Sequence, residues 1–151
     1  MGKKIVITGG LGYIGTELCK IYSGYSWHDK ITIIDNRFIS ERVNQIRNWN
    51  MNFVHGDILD KDLIKKYCSD ADIVHHLAGV TAVPRVKSEA NEEHEKKIEE
   101  VAKVGTQNIL DVISDKCKII FPSTHVVYEG LDKVKNDINE DENTKPVLAY
   151  A

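Results

Sequence analysis

KKIVITGGLGYIG occupies residues 3–15 and has the pattern of a strand, a glycine-rich turn and the start of a helix. The β-branched run Ile5–Ile7 suits a strand that is buried on both faces of a sheet. Gly9, Gly12 and Gly15 follow at intervals of three, where a backbone must turn tightly and approach a ligand. A helix from about Tyr13 would direct its free N–H groups and positive dipole end at that turn. The stretch therefore predicts a pyrophosphate-binding turn.

A second β-rich run, Lys30–Asn36, carries the carboxylate that makes this turn more specific. Asp35 lies 20 residues after Gly15, the distance expected for a group that reaches an adenosine ribose. An acidic side chain there accepts hydrogen bonds from both ribose hydroxyls and repels a 2′-phosphate, which predicts NAD rather than NADP. Arg37 leaves two interpretations open, because it could neutralise a 2′-phosphate or be a solvated loop cation.

Length and composition limit the class of protein. With 151 residues, 42% of them hydrophobic and 28% charged, the chain is expected to form one globular domain. The net charge of −3 includes no basic stripe, so nucleic acid is not an expected partner. No apolar stretch is long enough to span a bilayer and no signal-peptide pattern is present, so we expect a cytoplasmic protein without membrane association. The cysteines, in odd number and widely separated, read as buried or incidental thiols: Cys19, Cys68 and Cys117.

The rest of the chain alternates between strand and helix patterns. Further strands are expected at Met51–His55, Asp72–Ala78 and Lys118–Phe121, and helices at Ser40–Asn48 with Ser40 as N-cap, Asp60–Tyr67 and Glu89–Ile113, followed by a long loop from Tyr128 to Lys145. Such alternation predicts an α/β fold, a doubly wound parallel sheet with ligands at the carboxyl ends of the strands. For a sheet of the dinucleotide-binding (Rossmann) type the expected strand order is 3-2-1-4-5.

Two of these strand ends carry further candidate residues. Asp57 could accept a hydrogen bond from an adenine amino group while Ile58 covers the ring, although Asp57 could equally be a turn residue. The fourth strand finishes in small residues and Gly79, against which a cofactor could lie. His75 and His76 are adjacent in that strand and point to opposite faces, so they are expected to be structural and no metal site is predicted.

Five stretches resemble the extended short-chain dehydrogenase/reductase family, and within it the NAD-dependent nucleotide-sugar epimerases and dehydratases, most closely the UDP-glucose 4-epimerase type. They are Thr8–Gly15, Asp35–Asn36, Asp57–Ile58, His76–Val83 and Gly105–Leu110. The resemblance implies a Rossmann domain with NAD as cofactor. The candidate cofactor-binding residues are Gly9, Gly12, Tyr13, Ile14, Asp35, Asn36, Ser40, Asp57, Ile58, Leu77, Ala78, Gly79 and Thr81.

The same resemblance implies two catalytic residues. Phe121–Tyr128 is similar to the family's active-site strand end, with Thr124 as the hydroxyl that binds the reacting sugar oxygen. Pro146–Ala151 is similar to the approach to a Tyr-x-x-x-Lys motif, with Tyr150 as the base that takes a proton while hydride passes from sugar C4 to NAD. A phenol of pKa about 10 needs a neighbouring cation for that role at neutral pH.

The chain also departs from the family's pattern. Ala102 stands where an Asn is usual. The lysine of the Tyr-x-x-x-Lys motif would come three residues after Ala151, the last residue of the sequence. We therefore expect residues 1–151 to be an incomplete NAD-binding domain that ends before the sixth strand and the substrate domain, and to be inactive alone. Its fifth strand would be a sheet edge, so we expect either a homodimer or a poorly ordered C-terminal segment.

Three functions remain open from the sequence. The first is a nucleotide-sugar 4-epimerase or dehydratase with a nucleotide-sugar substrate, and the absence of an acidic pair after Thr124, where His125 and Val126 stand, favours the epimerase. The second is an NAD(P)-dependent reductase or hydroxysteroid-type dehydrogenase of the same fold. The third is a non-catalytic dinucleotide-binding module.

Overall fold

The computed structural model describes residues 2–25, 29–80, 92–133 and 135–150. Within them, one parallel sheet of five strands has the order β3-β2-β1-β4-β5, which confirms the predicted doubly wound topology. The strands are β1 (Lys4–Thr8), β2 (Lys30–Asp35), β3 (Asn52–His55), β4 (Ile73–His76) and β5 (Lys118–Ile120). All five carboxyl ends therefore lie at one edge of the sheet, where ligands of such folds bind.

Helices connect the strands in the described ranges. They are α1 (Tyr13–Tyr25), α2 (Ser40–Asn48), α3 (Lys61–Cys68), α4 (Glu92–Glu100) and α5 (Thr106–Leu110). A short 3₁₀ helix at His125–Tyr128 follows β5. None of the helices in these ranges has the length and apolar character needed to cross a membrane.

The long helix predicted for Glu89–Ile113 is interrupted. Residues 89–91 lie outside the described part of the chain, and Val101–Gly105 forms a π-helical turn between α4 and α5. A Cβ atom on Gly105 would lie only 2.3 Å from Cδ1 of Ile58. The helix thus passes so close to Ile58 that its side chain would have to move if residue 105 carried a Cβ, and this close packing occurs where the helical turn widens.

Capping agrees with the sequence at one helix and not at another. The prediction of Ser40 as N-cap is wrong, because the Ile39 carbonyl already accepts from Val43 N (2.9 Å) and Ser40 is the first helical residue. Asp60 caps α3, and its side chain accepts a hydrogen bond from Leu63 N at 3.0 Å. The acidic start and basic end of α3 follow the charge order that the helix dipole favours.

The core lies on both faces of the sheet, as expected for a strand such as β1 that is apolar throughout. Ile5 and Ile7 point to the face covered by α1 and α2, and Val6 points to the face covered by α3 and α5. Cys19 and Cys68 are buried free thiols in these two clusters, and burial raises the pKa of each to about 12. The prediction of buried thiols is confirmed for these two, and Cys117 is half-buried.

The segment after the 3₁₀ helix is the predicted long loop. Its base is closed by two backbone hydrogen bonds, from Lys145 N to Val127 O (2.8 Å) and from Gly130 N to Lys145 O (2.9 Å). The described residues between these points form turns and bends without a regular helix or strand. The loop therefore begins and ends at the same place, close to the carboxyl end of β5.

Candidate functional site

The glycine turn after β1 is held tightly against the end of β4. Gly9 has φ +69°, and a Cβ atom there would lie 2.6 Å from Ala78 N. Leu77 N donates to Thr8 O at 3.1 Å, which continues the β1–β4 pairing past the strands. Only glycine fits at position 9, and the turn brings Leu77 and Ala78 directly beside it.

The turn leads into α1 with almost no space between them. Gly12 N donates to Gly9 O at 3.0 Å, and Thr16 N donates to Gly12 O at 3.0 Å. A Cβ atom on Gly15 would lie 2.6 Å from Cα of Gly10. The first N–H groups of a helix have no intrahelical acceptor, so Tyr13 and Ile14, whose side chains are exposed, offer their amides beside the turn. A backbone cradle of this kind fits a pyrophosphate.

Asp35, at the end of β2, is bound to the same turn. Its Oδ2 accepts from Leu11 N at 2.9 Å, and the residue is only 5% exposed. Its Oδ1 accepts from Arg37 N at 3.0 Å and from Arg37 Nε at 3.2 Å, while Arg37 Nη2 donates to Oδ2 at 3.4 Å. Arg37, left open by the sequence, is an exposed cation paired with Asp35. Turn, acid and cation form one connected group.

Asn36, which follows β2, and Asp57, which follows β3, are in contact at the same edge of the sheet. Asn36 Nδ2 donates to Asp57 Oδ2 at 2.9 Å, and His55 Nε2 lies 3.0 Å from the Asn36 carbonyl. Asp57 Oδ1 accepts from Leu59 N at 3.0 Å, so the residue does stabilise a turn. The adenine role of Asp57 stays a prediction beside this turn role, since the structure brings it next to Asn36.

Ile58 is largely buried beside Asp57. Its side chain is 4% exposed and packs against Gly105. Its role in covering an adenine ring stays a prediction. Asn108, which was not predicted as a site residue, holds the backbone here, because its Nδ2 donates to Ile58 O at 3.0 Å and to Leu59 O at 3.2 Å. Asn108 is a polar residue within the apolar stripe of α5, and this pattern could have indicated from the sequence that its side chain has a buried partner.

The two adjacent histidines of β4 face opposite sides of the sheet, as predicted. His75 Nε2 lies 2.7 Å from the hydroxyl of Tyr22, and burial, with Lys118 nearby, lowers its pKa. His76 has its Nδ1 2.9 Å from Thr8 Oγ1 and its Nε2 2.9 Å from Thr106 Oγ1, and burial lowers its pKa to about 4. Among the described residues no three His, Cys, Asp or Glu side chains are grouped to hold a metal ion.

Of the other predicted cofactor-binding residues, Gly79 and Ser40 are exposed at the surface. Gly79 is exposed, and among the described residues other than its chain neighbours no atom lies within 4 Å of the place where its Cβ would be. Thr81 lies outside the described residues. Ser40 is exposed at the start of α2. Arg42, two residues further along the same helix, was not predicted as a site residue, and its Nη1 donates to the carbonyl of Leu11 in the turn.

Thr124 and Tyr150 lie beyond β5. Thr124 Oγ1 accepts from Val126 N at 3.3 Å and begins the 3₁₀ helix, which leaves the hydroxyl hydrogen free to donate. Thr124 also lines a cavity of about 600 Å³, together with Ser123, His125, Val127, Tyr128, Glu129, Ile138, Asn139 and Glu140. Tyr150 is 40% exposed and is not part of this lining. The described hydrogen bonds include none between Thr124 and Tyr150.

The parallel sheet, the glycine turn against α1 and the acid at the end of β2 define a Rossmann domain of the dinucleotide-binding class. The model of the 3-beta hydroxysteroid dehydrogenase/isomerase family matches residues 6–150, nearly the whole chain. The chain belongs to this family. The predicted resemblance to short-chain dehydrogenases of the nucleotide-sugar epimerase and dehydratase kind is confirmed by the relatives described next.

Three relatives in sequence or structure carry the names of nucleotide-sugar enzymes. The dTDP-D-glucose 4,6-dehydratase of Dictyostelium discoideum is 30% identical over 97% of this chain and 36% of its own length. The structure of UDP-N-acetylglucosamine 4-epimerase from Methanobrevibacter ruminantium M1 is 28% identical with a TM-score of 0.78, covering 99% of this chain and 46% of that one. DesIV, a dTDP-glucose 4,6-dehydratase of Streptomyces venezuelae with NAD and TYD bound, is 23% identical with a TM-score of 0.79, covering 97% and 47%. The chain thus spans less than half the length of these proteins.

Proposed function

We propose that this chain binds NAD and forms the cofactor-binding part of a nucleotide-sugar 4-epimerase or dehydratase. One observation carries the first half of the proposal. The Asp35 carboxylate is held at 2.9 Å from Leu11 N, inside the glycine turn itself. The group expected to bind the adenosine ribose is therefore hydrogen-bonded to the turn expected to bind the pyrophosphate, and the two would bind adjacent parts of a dinucleotide.

Each part of the cofactor would have its own residues. The pyrophosphate would lie on the N-terminus of α1, at the amides of Gly12, Tyr13 and Ile14, where the helix dipole favours negative charge. The adenosine ribose would take Asp35, with Asn36 and Asp57 beyond it towards the adenine. The other half of the dinucleotide would follow the end of β4 past Leu77, Ala78 and the exposed Gly79.

The catalytic half of the proposal assigns two side chains. NAD, when bound, supplies a hydride acceptor for C4 of the sugar. Thr124 would donate its free hydroxyl hydrogen to the sugar oxygen and so fix its position, because its oxygen already accepts from Val126 N. Tyr150, which is exposed, would take the proton from the sugar hydroxyl as phenolate. Epimerisation is favoured over dehydration by His125 and Val126 after Thr124, where the resemblance would require acids for dehydration.

The test uses the product of the whole gene, whatever its length, with NAD and UDP-, dTDP- and GDP-hexoses separated by anion-exchange chromatography. We expect one hexose to be converted, and Tyr150→Phe to lower turnover by at least about 100-fold because the proton acceptor is lost. Tyr25→Phe, at an exposed tyrosine of α1, is the control and should be as active as the unmodified protein. Unchanged hexoses in every mixture would contradict the catalytic half.

A second candidate function is that of an NAD(P)-dependent dehydrogenase. It is supported by the match to the 3-beta hydroxysteroid dehydrogenase/isomerase family. A dehydrogenase releases NADH in proportion to the alcohol oxidised, whereas an epimerase returns the hydride and accumulates none. Stoichiometric NADH from a secondary alcohol such as a hydroxysteroid would therefore support the dehydrogenase. NAD binding without turnover of any sugar or alcohol would leave a dinucleotide-binding module.

A further inference from the structure

Every acceptor position of the Asp35 carboxylate is already in use. A carboxylate has about four lone-pair positions on its two oxygens. Leu11 N and Arg37 N each take one, and the Arg37 guanidinium takes the other two through Nε at 3.2 Å and Nη2 at 3.4 Å. The two backbone amides belong to the turn and to the strand end, so only the guanidinium can leave without unfolding the site.

The guanidinium also lies where a ribose would have to enter. Its Nη2 is 3.7 Å from the position that a Cβ atom on Gly12 would have, which places it over the glycine turn. The Arg37 side chain is 55% exposed, so it can swing into solvent at low cost, whereas Asp35 is nearly fully buried and cannot move. The two ribose hydroxyls of NAD need two acceptor positions, and Arg37 holds the two that could be vacated.

We propose that Arg37 sets the dinucleotide selectivity of this site by competing with the adenosine ribose for Asp35. This inference rests on the proposed NAD binding and deepens it. With Arg37 on Asp35 the pair has no net charge, so the carboxylate repels a 2′-phosphate less than an unpaired acid would. A displaced guanidinium stays within reach of the ribose and can pair with a 2′-phosphate in the two-pronged geometry that arginine favours. The site therefore binds NAD less tightly, and NADP more tightly, than Asp35 alone would allow.

The test measures selectivity by binding and needs no turnover. NAD and NADP are titrated calorimetrically into the unmodified protein, Arg37→Gln and Arg37→Lys. Arg47→Gln, at an exposed arginine of α2, is the matched control for loss of one positive charge. Because one charged hydrogen bond is gained by NAD and one lost by NADP, we expect Arg37→Gln to raise the ratio of the NADP to the NAD dissociation constant at least about tenfold. NAD itself should bind more tightly.

The two other variants separate charge from geometry. Arg37→Lys keeps the cation but has no fork to span both oxygens, so its ratio should lie between those of the unmodified protein and Arg37→Gln. Arg47→Gln should leave the ratio unchanged. A thermal unfolding curve for each variant checks that the exposed substitutions leave the fold intact.

Three outcomes would overturn the inference. A ratio in Arg37→Gln within about twofold of the unmodified value would show that Arg37 does not affect selectivity. Weaker NAD binding in Arg37→Gln would mean that the guanidinium binds the cofactor and does not compete with it. Failure of the unmodified protein to bind either dinucleotide would refute the proposed function together with this inference, and so is distinguishable from the first two results.

Discussion

Acidification should destabilise this protein through His76. The ring is 1% exposed and joins three elements, with Thr8 of β1 on its Nδ1 and Thr106 of α5 on its Nε2. Ala78 N donates to Thr8 Oγ1 at 3.3 Å, so the Thr8 hydroxyl hydrogen is free to point at Nδ1. The neutral ring with its proton on Nε2 satisfies all these contacts. A second proton, on Nδ1, would break the hydrogen bond that the Thr8 hydroxyl donates to this nitrogen and would place a positive charge in a buried position.

The magnitude follows from the pKa. Burial lowers the pKa of His76 from 6.5 to about 4. Below pH 6.5 the unfolded chain takes up a proton that the folded protein does not, so stability is complete above that pH and is lost as the pH falls towards 4. A pKa shift of this size lowers the free energy of unfolding by about 3 kcal/mol once the pH is below 4. About 2 kcal/mol of this loss has already occurred at pH 5.

Urea unfolding at about pH 7.5 and pH 5, followed by circular dichroism, measures this loss. The unmodified protein should lose roughly 2 kcal/mol more between the two pH values than His76→Asn, whose amide oxygen can still accept from Thr8. His125→Gln, at an exposed histidine, should lose as much as the unmodified protein. Because each protein is compared with itself, the cost of the substitution cancels.

An NMR titration of the His76 ring tests the same reasoning without a variant. The ring should stay neutral at pH 5 while the exposed His125 is followed in the same spectra. A His76 ring that titrates near pH 6.5, or equal pH dependence in the unmodified protein and His76→Asn, would refute the argument.

Two further predictions concern the turn and the loop beside it. Gly9→Ala should lower the free energy of unfolding by about 2–4 kcal/mol, because the new Cβ meets the Ala78 backbone at 2.6 Å and φ is +69°. Gly24→Ala, in open space on α1, should instead raise it by up to about 1 kcal/mol, and equal effects in urea unfolding would count against the close approach. Asn108→Ala should cost about 1–3 kcal/mol by leaving two backbone carbonyls without their donor, while Gln107→Ala on the exposed face should cost under about 0.5 kcal/mol. Similar losses in those two variants would refute the role of Asn108.

Much of the sheet could be predicted because its signals are local. The run Ile5–Ile7 is apolar on both faces, and alternation of such strands with helices predicts a parallel sheet, which the structure confirms. The turn and Asp35 were predictable for the same reason, since their spacing within one βαβ unit is set by the length of α1. With this spacing Asp35 comes to lie beside the turn, where it accepts a hydrogen bond from Leu11 N.

The remaining features depend on contacts between distant parts of the chain. Ile58 faces Gly105, which is remote in sequence, and no local pattern indicates that its side chain is buried rather than open to a ligand. Asn108 reads as an ordinary helix residue until the loop after β3 is brought beside it. The pairing of Arg37 with Asp35 is local in sequence but is decided by the side-chain rotamer, which residue types alone do not fix.

Calorimetric titration of NAD into the purified protein tests the central claim most directly, with Gly79→Val and Gly24→Val as a matched pair. Both glycines are exposed, and a Cβ on either would meet no atom of the described residues outside its chain neighbours, so either substitution should leave the fold intact. Only Gly79 lies along the proposed path of the cofactor. We predict saturable binding at one site, weakened at least about tenfold by Gly79→Val and unchanged by Gly24→Val. No saturable binding by the unmodified protein, or equal affinity in the two variants, would contradict the account.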